Sequence, residues 1–172
     1  MEVKGFDPDC KIMTSAGLIT VNTELGTGKK KSIDGYRCYF PEFEELLYID
    51  YQARQKNIDP LQEIGKWALA VFLRMPIEIG KPLVYCDKKL HVCTSIDKHA
   101  WFEVGITKQW DYGFLMTADL KEGIIRMAGW LPYLTFVEGT WKNRDGLWHV
   151  NPIHMSRSLQ DFDKHVLEKL HN

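Results

Sequence analysis

The stretch at residues 81–95, KPLVYCDKKLHVCTS, constrains the fold of this chain more than any other segment. Two runs of strand-forming residues, 83–86 and 90–94, are separated by the polar residues Asp87-Lys88-Lys89. Two such runs joined by a turn predict a β-hairpin. A helical pattern precedes the hairpin and strand patterns follow it, so we expect the hairpin to lie at the centre of a sheet.

Capping residues and apolar periodicity predict helices on both sides of the hairpin. Residues 59–75 place Asp59 at the N-cap and Pro60 at the first helical position, with apolar residues on one face. A helix over residues 41–57 is predicted before it, and a last helix is predicted to start at Ser158.

Strand patterns continue after the hairpin at residues 101–107, 112–117 and 123–130. The second of these runs is apolar at nearly every position, which is typical of a strand buried on both faces. Asp145-Gly146 is a strong signal for a later hairpin. The chain is therefore predicted to be α/β or α+β, with a central mixed sheet flanked by helices.

The length of 172 residues suits one domain with a substantial core. No linker or repeat divides the chain, so we predict a single domain at 1–172, with an extension at 1–35 and a core at 36–172. The extension carries a Gly- and Lys-rich segment at residues 26–35. It has Thr23 where a P-loop needs its first glycine, so a flexible loop is predicted, with contact to a phosphate backbone as the lesser alternative.

Composition limits the classes of partner. The net charge of −1 gives no overall basic field for nucleic acid or acidic lipid, so such a contact needs a local basic patch. No apolar segment has the length of a membrane span, and the N-terminus lacks a signal-peptide pattern. We predict a cytoplasmic protein with no membrane partner, whose four cysteines are reduced.

Cys86, His91 and Cys93 are the first candidates for chemistry, because a hairpin would bring them near one another. Their spacing lacks the second ligand pair that structural zinc sites usually have. His91 and Cys93 lie two residues apart on one strand and so share a face, but no third group that could orient the histidine is identifiable. The alternative that we favour is half-buried cysteines beside a surface histidine.

Carboxylates offer a second candidate site. Glu63 on the predicted helix, Asp87 in the turn and Glu103 on a later strand could surround a divalent ion, as metal-dependent nucleases require. Asp87 is also favoured in a turn for local reasons, and Gly105 stands where a lysine would be wanted two residues after Glu103.

Several short motifs occur in an order that resembles the phage-type PD-(D/E)XK, or restriction-endonuclease-like, nuclease superfamily. They are Gly65-Lys66-Trp67-Ala68-Leu69-Ala70, Lys81-Pro82-Leu83, His91-Val92-Cys93-Thr94, Gly129-Trp130-Leu131-Pro132 and Val150-Asn151-Pro152. The resemblance begins at Leu61 and leaves the extension at residues 1–35 unexplained. It implies a restriction-endonuclease-like fold.

The resemblance also implies that the catalytic positions are substituted. The three acids of the family fall on Lys66, Leu83 and His91, and its lysine falls on Cys93. We therefore favour no catalytic residue, no metal ligand and no cofactor, with Mg or Mn needed only if Glu63, Asp87, His91 and Glu103 form a displaced nuclease site. The fallback metal set is Cys86, His91 and Cys93.

Three functions follow, and the sequence leaves them open. The favoured one is a non-catalytic nuclease-like module that binds nucleic acid or a host protein, such as a phage accessory or counter-defence factor. The alternatives are an active metal-dependent nuclease and an assembly protein unrelated to nucleic acid. Lys66, Lys88, Lys89 and Lys98 are the candidate nucleic-acid contacts. The oligomeric state is left open.

The tryptophans are expected to divide between core and surface. Trp67, Trp101 and Trp130 follow apolar patterns and are predicted to be buried. Trp110 and Trp148 flank predicted turns and are predicted to be nearer the surface.

Overall fold

The computed structural model describes residues 9–14, 17–22, 28, 30–33, 36–105, 109–119, 121–139, 141–142 and 147–170. Eleven strands are assigned in these ranges: β1 Asp9–Thr14, β2 Gly17–Asn22, β3 Lys30–Ile33, β4 Tyr36–Tyr39, β5 Leu83–Tyr85, β6 Lys88–Ser95, β7 Phe102–Gly105, β8 Tyr112–Asp119, β9 Ile124–Pro132, β10 Trp141–Lys142 and β11 Leu147–Val150. The helices are α1 Phe43–Gln55, α2 Pro60–Leu73, α3 Tyr133–Gly139 and α4 Leu159–Leu170, with a 3₁₀ turn at Pro152–His154.

The main sheet is mixed and has the strand order β3-β4-β9-β8-β6-β5. Strands β6 and β8 are parallel, and the other neighbours are antiparallel. Strands β10, β11 and β7 form a second sheet of three strands, and β1 pairs with β2. The predicted mixed sheet with helices is confirmed, it includes the hairpin, and the class is α+β. The hairpin lies at the edge of this sheet, with β5 as the last strand, and not at its centre as predicted. A restriction-endonuclease-like fold stays a prediction.

Two apolar clusters cover the two faces of the main sheet. Alternate residues of β8, among them Phe114 and Met116, pack with α1, α2 and α4. Leu115 points to the opposite face, where it packs with Phe102 of β7 and Phe136 of α3. Burial of β8 on both faces is therefore confirmed, because each face is covered by a layer of its own.

Helix α2 begins at its predicted cap. The Asp59 side chain accepts a hydrogen bond of 3.2 Å from the backbone N–H of Leu61, and Pro60 occupies the first turn. Helix α4 begins in the same way, since the backbone N–H of Asp161 donates to the Ser158 hydroxyl at 3.2 Å. These local interactions explain why both starting points could be predicted.

Helix α2 lies very close to β6 because Gly65 has no side chain. A Cβ atom on Gly65 would overlap the hydroxyl oxygen of Thr94 and lie 2.9 Å from its Cβ and Cγ2 atoms. One turn earlier, the Gln62 carboxamide forms two hydrogen bonds of 2.9 Å with the backbone N–H and C=O of Thr94. Gly65 and Gln62 therefore fix the helix against the strand.

The turn of the central hairpin differs from the prediction. It consists of Cys86 and Asp87 alone, and Lys88 and Lys89 already belong to β6. Both turn residues have positive φ angles, 49° and 62°, as a type I′ turn requires. The prediction missed this turn because cysteine is not among the residues favoured at such positions.

Replacement of Cys86-Asp87 by Asn-Gly is expected to stabilise the protein by about 1 kcal/mol, because the new residues adopt positive φ angles more readily. Urea unfolding of the parent and the variant measures the difference. Asp87→Ala keeps a Cβ atom at positive φ and is expected to gain nothing. A loss of stability in the Asn-Gly variant would contradict the assignment of strain to this turn.

Part of the extension forms a strand at the edge of the main sheet. Of the segment at residues 26–35, which was predicted to be a loop, residues 30–33 form the edge strand β3 on β4. Asp145-Gly146 and most of the remaining glycine- and lysine-rich segment lie outside the described residues. None of the helices in the described ranges is both long and apolar enough to cross a membrane.

Two tryptophan predictions are wrong. Trp110 is only 6% exposed, and Trp101 is 42% exposed. Trp110 is buried because Gly113 leaves room for its ring and the second apolar cluster surrounds it. Trp130 is buried as predicted, and Trp67 and Trp148 are partly buried.

Candidate functional site

A cleft of about 460 Å³ lies where α2 faces the central hairpin. We call it the lysine cleft. Its walls are residues of α2, the connection before β5, the first half of β6 and the residues that precede β8. Its polar side chains are Gln62, Glu63, Lys66, Lys81, Lys89, His91 and Gln109. Its volume lies in the range of about 300–1,000 Å³ that is usual for small-molecule sites.

A buried ion pair forms one wall of the lysine cleft. Lys66 Nζ lies 2.7 Å from Glu63 Oε2, and the two side chains are only 11% and 7% exposed. Lys66 also donates to the backbone carbonyl of Lys81 at 2.8 Å, and Glu63 accepts from the backbone N–H of Gly80 at 3.3 Å. The pair therefore holds the connection before β5 against α2. The negative charge of Glu63 is neutralised by Lys66 within the wall of the cleft.

Lys81 and Lys89 lie at the open side of the cleft and are exposed. The Lys81 ammonium group lies 2.7 Å from the Glu78 carboxylate, with both side chains more than two-thirds exposed. The hydrogen bond between them raises the pKa of Lys81 and lowers that of Glu78, so both groups are charged at neutral pH. Exposed pairs of this kind are weak, and an anion in the cleft can compete with Glu78 for Lys81.

His91 lines the cleft but is packed into an aromatic cluster. Its ring stacks on Trp110 with centroids 6.0 Å apart and meets Phe102 edge-on at 5.9 Å. Cys93, which shares its face of β6, packs against the same apolar cluster, whereas Cys86 is exposed in the hairpin turn. The predicted shared face of His91 and Cys93 is thus observed.

The three candidate carboxylates lie in three different parts of the structure. Glu63 is in the cleft wall, Asp87 is in the exposed hairpin turn, and Glu103 is exposed on β7 of the second sheet. Within the described ranges, no three histidine, cysteine, aspartate or glutamate side chains form a group that could hold a metal ion.

The candidate nucleic-acid contacts are only partly brought together. Lys66 and Lys89 line the lysine cleft, whereas Lys88 borders a separate pocket beside Asp111 and Lys98 lies in the turn after β6. Lys81 also lines the cleft, although it was not among the lysines predicted as candidate contacts. The signal available for it was its place directly before Pro82 in the motif that carried the resemblance.

Three of the four positions that the resemblance singles out, Lys66, Leu83 and His91, lie on the walls of this one cleft. Comparison with known proteins found no family model, no curated protein and no solved structure that matches the chain. The relationship to the nuclease superfamily therefore stays a prediction.

Proposed function

We propose that the protein binds nucleic acid through the lysine cleft and does not cut it. The observation that carries the proposal is the charge of the cleft: among the described residues, three lysines line it and Glu63 is its one carboxylate. The whole chain has a net charge of −1, so the excess of lysines in the cleft is a local feature that the overall charge does not share. Phosphate oxygens are the usual partners of such lysines.

The ion pair in the wall strengthens this argument. Because Glu63 is bound to Lys66 at 2.7 Å and to the N–H of Gly80, its charge is compensated before any ligand arrives. Lys89 faces solvent, and Lys81 is held only by its exposed pair with Glu78, which is weak, so both side chains can move to meet a phosphate. We assign the phosphate contacts to these two lysines. Lys66 has a structural role, since it binds Glu63 and the Lys81 carbonyl in the wall of the cleft.

Binding without hydrolysis is proposed because of the residues that occupy the cleft. Metal-dependent cleavage of a phosphodiester needs carboxylates that gather a divalent ion. At the positions that the resemblance assigns to acids, the cleft has Lys66, Leu83 and His91. A leucine offers no ligand to a cation, and a lysine repels one.

The test is the salt dependence of binding to a short, fluorescein-labelled single strand, measured by fluorescence anisotropy between about 50 and 200 mM salt. Each phosphate contact contributes about −0.7 to the slope of log K against log salt for a single strand. Lys81→Gln combined with Lys89→Gln is therefore expected to weaken binding and to reduce the steepness of that slope by about 1.4.

Lys121→Gln combined with Lys164→Gln is the matched control, because it removes the same charge from exposed positions outside the cleft. We expect this variant to bind like the parent. Equal losses in the two double variants would show that binding depends on overall charge. Absence of binding by the parent, or loss of labelled strand through cleavage in Mn²⁺, would also contradict the proposal.

A further inference from the structure

The carboxamide of Gln62 shows what kind of group the edge of β6 accepts. Its amide nitrogen donates to the C=O of Thr94, and its amide oxygen accepts from the N–H of Thr94, both at 2.9 Å. A planar group with a donor and an acceptor side by side thus pairs with the N–H and C=O of one strand residue. The Gln62 carboxamide therefore lies where a neighbouring strand would otherwise pair with β6.

The backbone groups of β6 alternate between its two edges. Lys89 directs its N–H to the Asp111 carboxylate at 2.8 Å and its C=O to the Asp111 N–H at 2.9 Å, on the side of β8. Leu90 pairs with Leu83 of β5 on the opposite side, where Gln62 also binds Thr94. Because the direction alternates with every residue, the N–H and C=O of Val92 point to that same side, between Leu83 and Gln62.

Strand β5 stops before it reaches Val92. It begins at Leu83, and the residue before it, Pro82, has no N–H to donate. The backbone N–H of Lys81 is turned to the Glu78 carbonyl at 3.2 Å, and its C=O accepts from Lys66 at 2.8 Å. The space beside Val92 is the lysine cleft, which Val92 lines.

We propose that the N–H and C=O of Val92 bind the donor–acceptor edge of an unpaired nucleobase in the lysine cleft. This inference rests on the proposed function, since Lys81 and Lys89 would hold the phosphate of the same nucleotide. Every nucleobase carries an N–H donor beside an acceptor on its Watson–Crick edge, as the Gln62 carboxamide does. In a duplex that edge is occupied by the opposite base, so the ligand class is single-stranded nucleic acid or an extruded nucleotide.

An extended peptide could also pair with Val92, because strand addition uses the same backbone groups. The lysines favour the nucleotide. A peptide backbone is uncharged and gains nothing from Lys81 and Lys89, whereas each nucleotide brings a phosphate together with its base.

The experiment compares AMP, ribose 5-phosphate and N6,N6-dimethyl-AMP by titration into isotope-labelled protein, with the Val92 amide followed by NMR. All three probes carry the phosphate, but only AMP has an N–H donor on its base. We expect all three to bind through Lys81 and Lys89, and AMP to bind about tenfold more tightly than the others. The Val92 amide proton should shift downfield with AMP alone, as a new hydrogen bond requires.

The outcomes separate the two proposals. Equal affinities for the three probes, without a Val92 shift, would leave the phosphate site in place and overturn the base contact. Failure of all three to bind, together with failure of the labelled strand, would overturn the proposed function itself. A downfield Val92 shift with an acetylated and amidated Thr-Val-Thr-Val peptide, and none with AMP, would replace the nucleobase by a peptide strand.

Discussion

Replacement of Gly65 by alanine is expected to lower the free energy of unfolding by about 3 kcal/mol, the upper end of the usual cost of overpacking a core. The added Cβ atom would overlap the Thr94 hydroxyl and lie 2.9 Å from two further Thr94 atoms. Rotation of Thr94 does not remove the clash, since its Cβ and Cγ2 atoms are both close. Strand β6 cannot withdraw from α2 without breaking the two hydrogen bonds between Gln62 and Thr94.

Urea unfolding and thermal melting measure this effect, and the melting temperature should fall by about 6–12 °C for a domain of this size. Gly105→Ala is the matched control, because a Cβ atom there meets nothing within 4 Å. It should stay within about 0.5 kcal/mol of the parent. Thr94→Ala, added to Gly65→Ala, should restore part of the loss. A Gly65→Ala protein as stable as the parent would show that α2 does not lie against β6 as described.

Removal of the Glu63 carboxylate should have a still larger effect. Glu63→Ala leaves Lys66 charged and 11% exposed with no carboxylate beside it. Breaking a buried pair in this way costs about 3–5 kcal/mol. Replacing both partners, by Glu63→Leu with Lys66→Met, should cost less than Glu63→Ala alone, because no buried charge is then left uncompensated.

The exposed pair of Glu78 and Lys81 provides a control for the Glu63→Ala experiment. Glu78 and Lys81 have the same spacing of three residues and the same 2.7 Å separation, but both side chains are more than two-thirds exposed. We expect Glu78→Ala to leave the melting temperature unchanged. Equal effects of Glu63→Ala and Glu78→Ala would contradict the structural role of the buried pair. If Mn²⁺ raised the melting temperature of the parent and not of Glu63→Gln, Glu63 would be a metal ligand instead.

The helices and the hairpin could be predicted because their signals are local. Asp59 and Ser158 cap the helices that follow them, and the alternation of β6 is contained in a few neighbouring residues. The type I′ turn at Cys86-Asp87 could not be predicted, because its stability comes from the pairing of β5 with β6 and not from the turn residues.

The candidate site was harder to predict because it depends on contacts between distant segments. Lys66 and Lys89 were recognised as basic residues near the hairpin, but the pairing of Lys66 with Glu63 puts one of them into the wall. Lys81 lies in a connection with no periodic pattern, and its place before Pro82 alone did not indicate that it would face the same cleft. The burial of Trp110 likewise depends on Gly113 and on a second layer of structure, neither of which a local pattern can indicate.

The strand order of the main sheet also leads to an expectation about the order in which the parts of the chain fold. The α2–β5–β6 unit is contiguous in the chain, so its contacts close short loops and can form early. The pairing of β4 with β9 joins Tyr39 to Ile125, half the length of the chain away. Contacts of such separation slow folding, because the entropy of a long loop is lost before the pairing is gained. Most of the lysine cleft therefore belongs to the part of the chain that can assemble first, whereas its wall before β8 is added later. We expect closure of the sheet at β4 to limit the folding rate.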